Sequence, residues 1–256
     1  MSKIKKRIVF KVGSGVITES NEIAKERMLN LVSFLVEVRK HHEVMLVTSG
    51  AVSAGYTSLK LDRKIQISKK ILAAVGQPIL ISSYKRKFDI FNVDMAQILL
   101  TEDDFDSRTH TKIFQQIIDS CLANGILPVI NENDISTTPE QVFGDNDQLS
   151  GHVTHYTNSD LLVILSDIDG YYDSNPSNNK DAKIIKHVKQ ISDEELEQEH
   201  TPNNDFATGG IVTKLKAAKY LIEKNRQMFL CDGYDLSTAK DFVLSGIHEK
   251  GTLFSK

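Results

Sequence analysis

Short apolar runs rich in β-branched residues alternate along this chain with longer segments in which apolar residues recur at helical spacing. The short runs predict strands at Arg7–Val12, Glu43–Thr48, Asp94–Leu100, Ile126–Ile130, Leu161–Leu165 and Met228–Leu230. The longer segments predict helices at Glu22–Lys40, Ile65–Phe88, residues 107–124 and Thr208–Glu223. This alternation favours an α/β fold, a three-layer sandwich with a mostly parallel central sheet.

The chain contains neither a repeat of solenoid period nor a linker rich enough in Gly, Pro or Ser to separate domains. We therefore predict one domain over residues 1–256, with two lobes built on one sheet. Residues 1–155 would form the lobe for a substrate, and residues 156–256 the lobe for a nucleotide.

Composition excludes several classes of protein. Of the 256 residues, 40% are hydrophobic and 25% are charged, and a net charge of −3 gives no reason to expect nucleic acid or an anionic membrane as partner. No apolar run approaches the roughly 18 residues of a membrane span, and no secretory signal is recognisable. The two cysteines, Cys121 and Cys231, and the eight histidines show no metal-ligand spacing. These features predict a cytoplasmic protein with reduced cysteines and no metal held by its own side chains.

Two clusters of acids and amides follow the fourth predicted strand. The first is Asn131–Asp134 and the second is Phe143–Asp147, so that five acidic side chains and three asparagines lie between Asn131 and Asp147. One interpretation is a pair of solvated turns, because Asn and Asp favour turns. The alternative is a binding site, because ligands of open α/β sheets bind at the carboxyl ends of the strands. Two clusters in succession favour the binding site.

Three glycine turns are predicted at strand ends, at Gly13–Gly15, Ser49–Ala51 and Thr208–Gly210. Such turns let backbone N–H groups approach an anion, although each turn alone could be only a tight connection. The chain lacks the P-loop pattern, and Thr18 occupies the place of the third glycine in the dinucleotide-binding pattern. Phosphate binding without either motif is therefore the prediction.

Two lysines accompany these turns. Lys11 lies inside the first apolar run and Lys214 lies in the first turn of a predicted helix. Lys11 could instead be a solvent-facing lysine on an edge strand. Transfer of a γ-phosphoryl group needs mainly positioning and neutralisation of spreading negative charge, which two lysines aligned by a carboxylate would supply. Neither histidine nor an activated serine is needed if the acceptor is already a carboxylate.

These motifs resemble those of the amino acid kinase family over essentially the whole chain. The resemblance rests on six segments: Lys11 with Gly13, Thr48–Ala51, Ala73–Gln77, Ile130–Asp134, Gly144–Asp147 and Thr208–Lys214. The glycine turns and lysines are shared by the family, whereas the two acid-amide clusters are similar to those of its glutamate-phosphorylating members. Many of those members carry an additional carboxy-terminal RNA-binding-type domain, and we carry over nothing that the family attributes to that domain.

The resemblance implies ATP-dependent phosphorylation of the γ-carboxylate of glutamate, with Mg²⁺ on the nucleotide, proline as a possible feedback inhibitor and a homo-oligomeric assembly. The implied catalytic residues are Lys11, Asp147 and Lys214. The implied substrate-binding residues are Ser49, Gly50, Ala51, Asp134 and Asn146. The implied ATP-binding residues are Lys11, Gly13, Ser166, Asp167, Thr208, Gly209, Gly210 and Lys214.

Three alternatives stay open at this point. The acceptor could be another small acid, such as N-acetylglutamate or aspartate, or it could be a nucleoside monophosphate. The chain could also be a non-catalytic sensor of nucleotides or amino acids on the same fold. The combination of Lys11, Asp147 and Lys214 argues against a sensor, because binding alone does not require a charge clamp.

Overall fold

A central sheet with helices on both faces forms the middle of the molecule. The computed structural model describes residues 5–20, 22–137, 146–174, 176, 179–198 and 210–256. The strands are β1 Arg7–Val12, β2 Thr18–Glu19, β3 Glu22–Ile23, β4 Glu43–Val47, β5 Met95–Leu100, β6 Leu127–Glu132, β7 Leu161–Ser166, β8 His187–Val188, β9 Gln227–Asp232 and β10 Thr252–Phe254. The helices are α1 Ser14–Ile17, α2 Lys25–Val38, α3 Ala51–Tyr56, α4 Gln66–Ile90, α5 Asp103–Asp106, α6 Arg108–Ala123, α7 Asn146–Tyr156, α8 Asp193–Gln198, α9 Gly210–Glu223 and α10 Ser237–Lys240, which continues into a π-helical turn at Asp241–Ser245.

The main sheet has eight strands in the order β5-β6-β4-β1-β7-β9-β10-β8. Every neighbouring pair is parallel except β9 and β10, which are antiparallel. Strand β1 lies between β4 and β7, and the chain adds strands first on one side of β1 and then on the other. The predicted α/β fold with a mostly parallel sheet is confirmed. In such sheets, ligands bind where the strand order reverses.

Alternation along β1 explains why one lysine is compatible with this central strand. Ile8, Phe10 and Val12 belong to the apolar core that includes α2 and α4. Val9 belongs to the core on the opposite face, with α7 and α9. Successive side chains of a strand point to opposite faces, so Lys11 lies on the face of α7 and α9. The edge-strand interpretation of Lys11 is wrong, because β1 is paired on both sides and Lys11 is 2% exposed.

Helices α3 and α4 approach each other at backbone distance. A Cβ atom added to Gly76 would lie 1.8 Å from the carbonyl oxygen of Ala51, and one added to Gly55 would lie 1.9 Å from that of Leu72. Any side chain at either position would therefore push the helices apart. This contact holds α4 against the turn that follows β4.

Differences from the sequence prediction include one strand that is longer than predicted and two elements that were not predicted. Strand β6 continues through Asn131 and Glu132, which pair with Leu99 and Leu100, so the first acid-amide cluster begins inside the strand. Asn146 and Asp147, the last two residues of the second cluster, begin α7, which was not predicted. Strand β10 was also missed, because three residues give too short a pattern to read. None of the helices in the described ranges is long and apolar enough to cross a membrane.

Candidate active site

The carboxyl ends of β1, β4, β6 and β7 meet at one edge of the sheet, and most of the predicted site residues lie there. Parallel pairing puts these ends side by side: Lys11 is opposite Val47 on one side and Ile164 on the other, and Val47 is opposite Ile130. Helices α7 and α9 cover the same edge with their amino-terminal turns. The residues brought together in this way fall into a charged group and an amide group.

The charged group is a lysine–aspartate–lysine arrangement formed by β1, α7 and α9. Asp147 is fully buried, and its Oδ1 lies 2.5 Å from Nζ of Lys11. Its Oδ2 lies 3.1 Å from Nζ of Lys214 and accepts a hydrogen bond of 3.0 Å from the hydroxyl of Thr213. Lys214 also donates to the carbonyl oxygen of Gly210 at 2.9 Å. Three segments distant in sequence therefore converge on one carboxylate.

Burial and charge act in opposite directions on Asp147. Removal from water by itself raises the pKa of the carboxyl group, but the charges of Lys11 and Lys214 and their hydrogen bonds lower it below its usual range. The carboxylate therefore remains ionised and holds two ammonium groups at the sheet edge. The surplus positive charge is suited to a polyanion such as a phosphoryl group.

The amide group is centred on Asn146, the residue before Asp147. Its side-chain amino group donates to the carbonyl oxygen of Thr48, to the hydroxyl of Ser49 at 3.0 Å and to Oδ1 of Asn131 at 2.7 Å. Asn146 and Asn131 are 7% and 3% exposed, so the interpretation as solvated turns is wrong for these residues. These side chains therefore provide hydrogen-bonding groups at the sheet edge without adding net charge.

A cavity of about 220 Å³ opens beside these amides. Its described lining residues are Ser14, Ser49, Gly50, Ala51, Val52, Ser53, Asn131, Asp134 and Asn146. The turn from β4 into α3 requires glycine at position 50, where φ is +102°. All five residues predicted to bind a substrate line this one cavity.

Asp134 lies at the cavity wall in an environment unlike that of Asp147. Burial raises the pKa of its carboxyl group, and the charge of Lys70 offsets this only in part. The Nζ of Lys70 is directed to the carbonyl oxygens of Ile135 and Thr137, at 3.1 and 2.6 Å. Asp134 is therefore a partly desolvated carboxylate that an additional cation in the cavity would stabilise.

Of the predicted nucleotide residues, Gly13, Ser166 and Asp167 lie at the carboxyl ends of β1 and β7, which pair with each other. Ser166 is buried at the end of β7 and donates to Oδ1 of Asp167 at 2.9 Å. The amide of Gly13 donates to the carbonyl oxygen of Leu165 at 3.0 Å, so this N–H is not the anion donor that the glycine turn predicted. Gly210 begins α9 beside Lys214. Thr208 and Gly209, with residues 143–145 of the second cluster, lie outside the residues that the structure describes.

The sequence prediction gave no individual role to three residues of this site. Thr213 holds Asp147 through its hydroxyl, and Asn131 connects Asn146 to Gln77, whose Oε1 accepts a hydrogen bond of 2.8 Å from Nδ2 of Asn131. Thr213, Asn131 and Gln77 all lie in segments that carried the family resemblance. Their side chains are neutral amides or hydroxyls, and nothing in the sequence distinguished them from other polar residues of the same segments.

The mostly parallel sheet carries, at its switch point, two lysines that are held by one buried carboxylate, an arrangement suited to an enzyme that transfers phosphoryl groups. The chain belongs to the amino acid kinase family, whose model matches residues 6–232. It is 50% identical to glutamate 5-kinase of Wolinella succinogenes over 97% of both chains. It is 46% identical to glutamate 5-kinase of Leishmania donovani, over 97% of this chain and 95% of the relative. Glutamate 5-kinase of Geobacter sulfurreducens is 40% identical, and there the match covers 99% of this chain and 68% of the relative.

Solved structures support the fold. A crystal structure of an isopentenyl phosphate kinase from T. acidophilum superposes with a TM-score of 0.66 at 14% identity, over 98% of this chain and 100% of that chain. Carbamate kinase from Giardia lamblia superposes with a TM-score of 0.68 at 14% identity, over 100% of both chains. At this identity the likeness shows a shared fold.

Proposed function

We propose that this protein transfers the γ-phosphoryl group of ATP to the γ-carboxylate of L-glutamate, giving L-glutamyl 5-phosphate for proline biosynthesis. The observation that carries the proposal is the buried arrangement of Lys11, Asp147 and Lys214 directly beside a cavity walled by Asp134 and Asn146. The high identity to relatives named glutamate 5-kinase supports the choice of acid.

In the transfer, a γ-carboxylate oxygen of glutamate forms a bond to the γ-phosphorus while the bond from that phosphorus to the bridging oxygen of ADP breaks. The acceptor is already an anion, so no proton has to leave it. Negative charge spreads over the transferring group, and the ammonium groups of Lys11 and Lys214 neutralise it. Asp147 keeps the two lysines in place and limits their mutual repulsion.

On the substrate side, the α-ammonium of glutamate would meet the Asp134 carboxylate and the carbonyl oxygen of Asn146. The amino group of Asn146 is already used by Thr48, Ser49 and Asn131, which leaves its Oδ1 for a donor. Ser49 and the turn through Gly50 and Ala51 would contact a carboxylate of the substrate. The raised pKa of Asp134 supports this assignment, since an ammonium partner would relieve it.

On the nucleotide side, ATP would lie across the ends of β1 and β7. The proposed ATP-binding residues are Lys11, Gly13, Ser166, Asp167, Thr208, Gly209, Gly210 and Lys214. We assign residues 1–155 to the amino-acid lobe and residues 156–256 to the nucleotide lobe of one kinase domain. The position of β1 between the two sets of strands supports this division.

We propose that Mg²⁺ enters with ATP, held mainly by the phosphate oxygens, and there offsets phosphate charge. The donor set fits this arrangement: within the described residues there is no group of three or more His, Cys, Asp or Glu side chains that could hold a metal ion. The carboxylate nearest the transfer, Asp147, is engaged by two lysines.

Proline is proposed as an inhibitor that competes with glutamate. Both amino acids carry an α-carboxylate beside a cationic nitrogen, which is the group that Asp134 would recognise. Inhibition kinetics at several glutamate and ATP concentrations test this. Competition with glutamate and not with ATP is expected, and purely non-competitive inhibition towards glutamate would contradict it.

A cytoplasmic homo-oligomer completes the proposal. The free thiols Cys121 and Cys231 agree with a reducing compartment. Exposed isoleucines at helical spacing, Ile67 and Ile71 on α4 and Ile113 and Ile117 on α6, support a second copy as a partner. Light scattering of the purified protein distinguishes a monomer from an oligomer.

The reaction is tested with ATP, Mg²⁺ and a panel of acids, with hydroxylamine added to trap an acyl phosphate as its hydroxamate. L-Glutamate should give both ADP and hydroxamate, whereas N-acetylglutamate and aspartate should give little of either. A Lys214→Ala variant serves as the background control. ADP release without hydroxamate would exclude an acyl phosphate, and equal use of glutamate and N-acetylglutamate would leave only a broader small-acid kinase.

A further inference from the structure

Helix α4 contacts three different parts of the amino-acid site through three residues spaced seven apart. Lys70 donates to the carbonyl oxygens of the turn that carries Asp134. Gln77 accepts a hydrogen bond from Asn131 at the end of β6. The hydroxyl of Tyr84 lies 2.8 Å from that of Thr48 at the end of β4, and both residues are buried. Residues seven apart lie on one face of a helix after about two turns, so a single stripe of α4 supports the site.

The backbone carbonyl group of Thr48 determines how the side-chain amides of Asn146, Asn131 and Gln77 are oriented. The carbonyl oxygen of Thr48 can only accept, so the amino group of Asn146 must face it. That amino group also donates to Asn131, so the carbonyl oxygen of Asn131 must point to Asn146. The amino group of Asn131 is then directed to α4, where only an acceptor can satisfy it. Gln77 supplies that acceptor through Oε1.

We propose that Gln77 is a positioning residue for the amino-acid substrate, acting through Asn131 on Asn146. The inference rests on the proposed function, because it assumes an ammonium group in the cavity. Asn131 lines the cavity and is 3% exposed. With Gln77 as its acceptor, Asn131 keeps its amino group away from the ligand. Without that acceptor, the amino group of Asn131 is left buried and unsatisfied, and its rotation into the cavity brings a donor towards the ammonium of the substrate.

Only one end of the Gln77 side chain takes part in this chain of hydrogen bonds. Its Nε2 is buried and has no hydrogen-bond partner in the described part of the chain. A Gln77→Glu variant keeps an oxygen that accepts from Asn131 and replaces this amino group by the second oxygen. A Gln77→Met variant has similar length and no strong acceptor. The two variants therefore separate the acceptor role from the mere filling of space.

The test compares glutamate with glutarate, which has both carboxylates and no ammonium group. The measured quantity is the inhibition constant of glutarate divided by the Michaelis constant of glutamate. Gln77→Met should lower this ratio about 10-fold, the effect of weakening one hydrogen bond to a charged group, by raising the Michaelis constant of glutamate. The Michaelis constant of ATP should change little. Gln77→Glu should restore most of the ratio, and the exposed helical control Gln116→Met should match the unmodified protein.

An unchanged ratio in Gln77→Met, or a ratio in Gln77→Glu as low as in Gln77→Met, would overturn the inference. Gln77→Ala replaces the Met variant if the latter does not fold, since it also removes the acceptor. A merely structural role would lower thermal stability and turnover without changing discrimination for the ammonium. Failure of the unmodified protein to phosphorylate glutamate would instead overturn the proposed function.

Discussion

Asp134 and Asp147 stand at either end of the same stretch of chain, and their environments are opposite. Asp147 is fully buried between two lysines, which lower the pKa of its carboxyl group. Asp134 is partly buried at the cavity wall, and burial raises its pKa. The ion pairs described in the structure do not include Asp134. One carboxylate is neutralised by two lysines, whereas the charge of Lys70 offsets the burial of the other only in part.

This difference separates two tasks that a kinase for a small zwitterion must perform. A carboxylate with internal partners can align charge for the transferring phosphoryl group and remains unchanged when the substrate binds. A carboxylate that lacks a cation gains most when the substrate supplies one. We therefore assign turnover to the surroundings of Asp147 and substrate selection to those of Asp134.

The largest expected effect is on the free energy of unfolding, which substitution of Asp147 should lower and substitution of Asp134 should not. Asp147→Asn leaves two buried ammonium groups without their carboxylate, which should lower the free energy of unfolding by about 3–5 kcal/mol. Asp134→Asn removes a partly desolvated carboxyl group whose burial the charge of Lys70 offsets only in part, so the free energy of unfolding should stay the same or rise. Denaturant titration of both variants at pH 7 without ligand measures this. Equal destabilisation by the two changes would contradict the comparison.

Turnover should depend on the charged group. Lys11→Ala or Lys214→Ala removes a preorganised charge from the transition state, so kcat should fall on the order of 100- to 1,000-fold. Asp147→Asn should also lower kcat, because the lysines lose the charge that aligns them. Steady-state kinetics at saturating glutamate and ATP measure the effect, with Lys240→Ala, a surface lysine paired with Glu37, as the control. Near-normal turnover in Lys214→Ala would remove Lys214 from the mechanism.

The Michaelis constant of glutamate should depend on Asp134 and on the side-chain amides around Asn146. Asp134→Ala removes the anionic partner of the α-ammonium, so this constant should rise about 5- to 150-fold, equivalent to roughly 1–3 kcal/mol. The Michaelis constant of ATP should change little. A change confined to kcat, with the constant for glutamate unaltered, would show that Asp134 does not bind the substrate.

The smallest expected effect is a dependence of the Michaelis constant of glutamate on pH. The raised pKa of Asp134 means that acidification protonates it while Asp147 is still ionised. Protonation removes the partner of the ammonium, so the Michaelis constant of glutamate should rise as the pH falls towards the pKa of Asp134. Glutamate's own γ-carboxyl titrates nearby, so the Asp134→Asn variant is the reference. The two proteins should converge at low pH, and parallel curves would argue against the assignment.

The fold was predictable because its core strands are short runs of predominantly apolar residues. Runs such as Leu161–Leu165 and Arg7–Val12 are too short for helices and too apolar for loops, and their order along the chain implies a parallel sheet. Strand β10 and the start of α7 were not predictable in the same way. The first depends on pairing with β9, and the second on the hydrogen bonds of Asn146 to β4 and β6, which are tertiary contacts.

The charged residues of the site were easier to predict than the neutral ones. A lysine inside an apolar run, such as Lys11, costs energy unless it has a partner, so it attracts attention in the sequence. Gln77, by contrast, is an uncharged residue within helix α4 and becomes notable only through its contact with Asn131. The roles of all these residues stay predictions until they are measured.

A carboxyl-detected NMR titration of protein labelled with ¹³C at aspartate tests the division of roles most directly. Asp134→Asn and Asp147→Asn identify the two signals by their loss. Without ligand, Asp134 should titrate above the usual range of aspartate, and Asp147 should stay ionised to the lowest pH at which the protein is folded. Saturating glutamate should lower the pKa of Asp134 and leave Asp147 ionised. An Asp134 titration that glutamate does not change would contradict the account, as would two carboxyl groups that shift together.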